Sequence, residues 1–232
     1  MSTKVPTLST DKPVGARTKR SVAKPHAKKT VGASLRDEVV AFRKGRILQA
    51  ACDAFYEHGY HECTVDMIAD RLSGTKAIVY YYFPDKHSIL YGIYCHVLEE
   101  IQALLKEVAA GSEQPDAKLM AVVRAYARWV MDNHRFAAVY WREVQTLSAE
   151  ARLVVEAEQK VIDSLVVQIV HEGVASKVFQ VPDVHTSARA IAGMIAFIYT
   201  GCVDGKHFSH DEAADAYAQI ALRIAGYRTS VN

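Results

Sequence analysis

Apolar residues recur every three or four positions along most of this chain, the spacing of helices with one buried face. Ile47, Leu48, Ala51 and Phe55 form the first such stripe. They predict a helix from about Arg36 to His58, ended by Gly59. Val65, Ile68, Ala69 and Leu72 predict a short second helix. A third covers Lys76–Tyr82, with Val79 and Phe83 on its inner face. Leu90, Ile93, Val97, Ile101, Leu105 and Val108 then hold a 3.6-residue period, predicting one long helix over 86–109. Past a break at Gly111–Pro115, helical patterns return near 116–133, 134–147, 149–172, 185–204 and 209–227. No alternating, strand-like run exceeds a few residues, and no segment repeats. The expected fold is all-α, with a small helical unit over 36–84 and a larger one over 85–232. Residues 1–35, with Pro6, Pro13 and Pro25 among Lys, Ser, Thr and Gly, have no period and are expected to be disordered.

Thr64 to Lys86 carries the densest signal. Thr64 stands where an N-cap belongs, and Asp66 suits the positive end of the helix that follows. Ser73-Gly74 breaks the pattern, Thr75 can cap again, and Pro84 disfavours helix at Phe83. Two short helices across a tight turn have the shape of a helix-turn-helix, whose second helix enters the major groove. Lys76, Ala77 and Tyr80 point outward in this arrangement. Lys76 has the reach for guanine O6/N7, and Ala77 or Ile78 suits a thymine methyl.

The same residues resemble the DNA-binding domain of the TetR family of bacterial transcriptional regulators. Thr64, Ile68, Ala69, Thr75, Val79, Tyr80, Tyr82, Phe83 and Lys86 follow that family's pattern, with its closing aliphatic position met by Ile89, or by Leu90 one residue late. Upstream, Arg46, Ile47, Leu48, Ala50, Ala51, Phe55, Gly59 and Tyr60 follow its first helix, so the likeness runs over about 50 residues. It departs at the turn, which usually reads Gly-Val where this chain has Ser73-Gly74. The resemblance implies that Thr75, Lys76, Ala77 and Tyr80 face bases and nearby phosphates. Arg46 lies near the DNA backbone, and Thr64, Tyr82 and Lys86 bind phosphate oxygens. Hydroxyls, ammonium groups and helix N-termini are suitable donors for that purpose. It further implies a C-terminal domain that binds a small-molecule effector, and a homodimer on a palindromic double-stranded DNA operator through the last two helices. FAAVYWRE at Phe136–Glu143 and AIAGM at Ala190–Met194 resemble a branch of regulators of fatty-acid, steroid and aromatic-acid breakdown, which often sense acyl-CoA thioesters.

Charge adds a second asymmetry. The chain of 232 residues has net charge +2. Residues 1–36 hold nine Lys/Arg against one acid, a local +8 that leaves −6 on the remainder. A basic arm on an acidic body suits a polyanion at one end. The arm reads either as a solvated tail or as an extra DNA contact. Half the residues are hydrophobic, enough to build a substantial core. The scattered Cys52, Cys63, Cys95 and Cys202 read as reduced thiols, which with the lack of a signal peptide implies a cytoplasmic protein. The most apolar segment, Ala188–Val203, includes Arg189 and is too short for a membrane span.

Tyr94, Trp129, Phe136, Tyr140, Trp141, Arg142 and Tyr199 are the expected effector-pocket residues, aromatics on helices that should surround one cavity. The same spacing serves ordinary core equally well. Arg142 and Arg152 could anchor an anion, or pair with Glu143 and Glu156. No cofactor is expected, and no metal. His58, His61 and Cys63 straddle a helix end, and His207 and His210 share a loop without a third ligand. Nucleophile-elbow and glycine-rich phosphate-loop motifs are absent, so no enzymatic activity is expected. The reading is a homodimeric, ligand-released repressor. An activator, an effector-independent regulator, or a helical partner-binding protein that no longer reads DNA are the alternatives.

Overall fold

A computed structural model describes residues 31–111, 114–201 and 209–227, with side chains from residue 35. The expected disorder of the arm thus concerns residues lying mostly outside those described, as do Cys202 and His207. Contacts divide the chain into units at Met1–Val39 and Val40–Asn232. Of the first unit, the described residues 31–39 are helical.

Nine α-helices make up the described residues: α1 (Val31–His58), α2 (Val65–Arg71), α3 (Lys76–Tyr82), α4 (Lys86–Ala110), α5 (Pro115–Asp132), α6 (His134–Arg142), α7 (Ala149–Ala175), α8 (Val184–Ala196) and α9 (His210–Ile224). Short 3-10 helices cover Val144–Thr146 and Ile198–Thr200. Among the described residues there is no strand, and no helix is long and apolar enough to cross a membrane. Two expected helices prove shorter. The pattern over 134–147 stops at Glu143, and Ser148 caps α7 by accepting from the Ala151 amide at 3.1 Å. The pattern over 185–204 stops at Ala196. The Thr200 hydroxyl there donates to the Phe197 carbonyl at 2.7 Å, competing with helical bonding.

Caps fix the other ends. Gly59, at φ +77°, ends α1, and its amide donates to the Phe55 carbonyl. Asp85 caps α4 by accepting from the Ser88 amide at 2.6 Å. One hydrophobic cluster runs from Ile47 in α1 through Ile68, Val79 and Phe83 into the C-terminal helices. α4 joins its two ends: Ile89, Leu90, Ile93 and Tyr94 are fully buried, and the helix packs on α5, α6 and α7. At Gly92 it comes close enough that a Cβ would stand 3.0 Å from both Leu48 and Phe83. α9 packs chiefly on α5, burying Ala214, Ala218 and Ala221.

Candidate nucleic-acid interface and effector groove

α2 and α3 form the helix-turn-helix the spacing predicts. Thr64 caps α2, its hydroxyl accepting from the Met67 amide at 3.3 Å while its side chain stays at the surface. Ile68 and Ala69 of α2 and Val79 of α3 are buried, which turns the rest of α3 outward. Thr75, Lys76, Ala77, Ile78, Tyr80 and Tyr81 are all exposed, Tyr80 by 47%. The Thr75 hydroxyl makes no capping hydrogen bond. Lys76 reaches back to Asp66, 3.4 Å away across an exposed pair, so an approaching phosphate or base would compete with that carboxylate. Tyr82 is half-buried, edge-on to Tyr81 at 4.9 Å between ring centres. Arg46 is exposed on α1.

Lys86 is used differently from its expected phosphate contact. Its ammonium donates to the carbonyls of Tyr60 (2.8 Å), His61 (3.3 Å) and Cys63 (2.8 Å) and stands 4.4 Å from the Tyr60 ring centre. An ammonium has three protons, and all three are engaged. The residue ties the start of α4 to the loop between α1 and α2, fixing the head instead of reaching from it. Burial pushes the Tyr60 phenol up to about 12.

The seven expected pocket residues do not surround one cavity. A groove of about 860 Å³ lies between α7 and α8, lined also by Tyr126 of α5 and Trp141 of α6. Of the seven, it takes in Trp141. Trp129, Tyr140 and Trp141 also line a much smaller chamber behind it. Tyr94, Phe136, Arg142 and Tyr199 line neither. Tyr94 is fully buried and donates to the Tyr140 carbonyl at 2.6 Å, and burial drives its phenol pKa upward. Phe136 packs on His96. Arg142 lies 5.5 Å from the Tyr56 ring and 5.9 Å from that of Tyr199. Arg152 binds Gln145 and the Leu147 carbonyl in place of Glu156, and its buried Nε has no partner.

The groove's polar residues are none of the seven: Gln159, Lys160, Asp163, Ser164, Gln168 and His171 stand on α7, and His185 and Arg189 on α8. Its floor includes Ala188, Ala192 and Ala196, one helical turn apart. That small-residue spacing is the sequence signal that could have marked the space. Among the described residues, no group of three His, Cys, Asp or Glu side chains converges as a metal site would.

α6 touches both regions. Trp141 lines the groove and the smaller chamber, and Tyr140 the chamber. Arg135 bonds Asp53 (2.9 Å) and Glu57 (3.5 Å) of α1, and Glu57 also pairs with Arg71 of α2. The Arg71 guanidinium holds the Glu57 carboxyl below its usual range. Glu143, just past α6, accepts from the Tyr60 amide at 3.4 Å.

Two sequence profiles match the chain. One, described as bacterial regulatory proteins of the tetR family, covers residues 47–91. The other, described as a tetracyclin repressor-like C-terminal domain, covers 112–225. The HTH-type transcriptional regulator HbdR of Aromatoleum sp. (strain CIB) is 30% identical over 120 residues, 51% of this chain and 52% of that protein. The chain therefore spans about half that relative's length. The structure of PfmR, a TetR family regulator from Thermus thermophilus, is similar at a TM-score of 0.71 and 29% identity, over 77% of this chain and 97% of that one. AibR, solved with isovaleryl coenzyme A and operator DNA, shares the fold at a TM-score of 0.71 and 19% identity, over 80% of this chain and all (100%) of its own.

Proposed function

Because the chain belongs to the TetR family of bacterial regulatory proteins, we propose that it is a homodimeric repressor that leaves a palindromic operator when a small molecule fills the groove between α7 and α8. In this reading residues 36–84 are the DNA-binding head, 85–232 the effector and dimerisation part, and 1–35 a basic arm. The observation that carries the DNA-binding assignment is the outward face of α3. Thr75, Lys76, Ala77 and Tyr80 stand exposed on a helix whose opposite side is anchored by buried Val79. Thr64, Arg46 and Tyr82 flank it for phosphate contacts. A single helix-turn-helix reads only a few base pairs, so two heads are needed for an operator.

The dimer face proposed here is α7 with the end of α8, in place of the last two helices. Leu153, Val154 and Val161 of α7 and Phe197 after α8 are exposed apolar side chains. α9, by contrast, packs one face on α5 within the protomer. Its Asp215 pairs with Arg124, its Asp211 with Arg128 and its His210 with Asp132, all from α5.

The groove favours an amphiphilic anion. Lys160 and Arg189 offer positive charge, while Val167, Ala188 and Ala192 offer apolar wall. A fatty or aromatic acid, or its CoA thioester, has that division. The AibR complex, in which a related fold holds an acyl-CoA, supports the choice. Such a ligand releases DNA only by binding the non-DNA-binding state more tightly.

The test is fluorescence anisotropy on DNA from upstream of the protein's own gene, at two salt concentrations and against competitor DNA. Specific binding that survives competitor is expected. Tyr80→Ala should weaken it by about 1–3 kcal/mol while leaving the oligomeric state unchanged. Binding that competitor abolishes, or that Tyr80→Ala leaves intact, contradicts the assignment.

A further inference from the structure

Three side chains, Tyr126, Trp141 and Gln159, line both the groove and the smaller chamber and so stand between them. That chamber is about 10 Å³, room for about one water. Val97 and Ile101 of α4, Val130 of α5 and Ala137 of α6 make it apolar. Gln159, from α7, is the amide among the three, and it is held on several sides. Tyr140 donates to its Oε1 at 2.8 Å and its own amide donates to Asp163 at 3.1 Å, while Tyr126 lines both spaces beside it. Both tyrosines are buried, 5% exposed, so each phenol needs a partner there.

We propose that Gln159 is the partition that sets how long an apolar tail the effector can carry. The inference rests on the reading of the groove as the site of an acyl-bearing anion. A chain entering from the groove gains roughly fourfold in affinity for each methylene it buries. At Gln159 that gain ends, because advancing further strips the buried Tyr140 phenol of its hydrogen-bond acceptor. Behind the amide lies hydrocarbon surface suited to the next carbons. Removing the amide side chain joins the two spaces.

The chain has two tryptophans, Trp129 and Trp141, and both line the inner chamber. Trp141 lines the groove as well and Trp129 the chamber alone, so intrinsic fluorescence reads binding in the wild type and in a Trp141→Phe background reports on the chamber. The full-length protein is titrated with straight-chain acyl-CoAs from butyryl to palmitoyl, and separately with free fatty acids of the same lengths. Wild type is expected to show an optimum length beyond which affinity falls. Gln159→Ala is expected to move that optimum about two carbons longer, and to tighten chains just past the wild-type optimum roughly tenfold. Gln159→Met keeps the length and loses the amide. It should shift the optimum in the same direction, and serves if the alanine variant does not fold. A shift with fatty acids alone upholds the partition and discards the CoA headgroup. An unchanged optimum in both variants, or no binding of either series, overturns the partition.

Discussion

Ser73 occupies a left-handed conformation, φ +51°, while its neighbour Gly74 does not. A side chain in that region costs about 1–2 kcal/mol that glycine avoids. A Cβ on Gly74 would sit in ordinary contact, 3.7 Å from Ile78 and 3.8 Å from Leu72. The chain thus has its conformational freedom one residue late, and the departure visible in the sequence is a local strain at the turn of the DNA-binding motif. Ser73→Gly is expected to stabilise the protein by about 1 kcal/mol in urea denaturation; a loss of stability would reject the strain. Lys86 gives a second residue-scale prediction. Lys86→Met should cost about 2 kcal/mol of stability, because three carbonyls lose a charged donor. It should leave the salt dependence of operator binding unchanged, whereas losing a phosphate contact would flatten the slope by about 1. The family resemblance implies a phosphate contact for Lys86. Sequence records that a lysine is there, but which oxygens it reaches depends on where the loop between α1 and α2 ends up.

Several elements depend on a carboxylate at their start. The Ser88 amide holds the Asp85 carboxyl below its usual range, Thr186 does the same for Asp183, and Ser209 for Glu212. A lowered carboxylate pKa contributes stability that is fully present above the unfolded value of ~4 and is lost as pH falls through the lower folded value. The urea midpoint should therefore be insensitive to these caps from about pH 8 to 5, and fall below about pH 4. Asp85→Ala should cost about 1 kcal/mol at neutral pH and lessen the acid-side fall; an undiminished fall would show that the α4 cap does not contribute to it. The dimer assignment also lives at this scale. Leu153→Glu with Val161→Glu is expected to give monomers in sedimentation, while Ile220→Glu on α9, 42% exposed, leaves dimers intact. The opposite result would return the interface to the last two helices. Helix count and order were legible from periodicity. Which face of α9 meets α5 was not, since an alanine stripe suits an internal contact and a subunit interface equally.

Across the whole molecule, two routes join the groove to the head. α4 shares the hydrophobic cluster with both, as its unbroken period suggests. α6 adds a polar route, from Trp141 at the groove to Arg135 on Asp53 and Glu57, and through Glu57 to Arg71 of α2. If this clamp transmits the effector signal, Arg135→Ala should keep operator affinity near wild type and raise the effector concentration needed for release about fivefold or more. Release at the wild-type concentration would assign the coupling to α4 alone.

Local chemistry alone determined the all-α class, the caps at Thr64 and Asp85, the helix-turn-helix and the outward residues of α3. Each of these depends on neighbours within about one or two helical turns, where spacing dictates which side chains share a face. The groove between α7 and α8, the contacts of Lys86 and the partners of Arg135 and Arg142 were decided by tertiary structure. They join residues such as Asp53 with Arg135, or Tyr140 with Gln159, whose meeting is set by how helices pack across the core and not by the period of either helix.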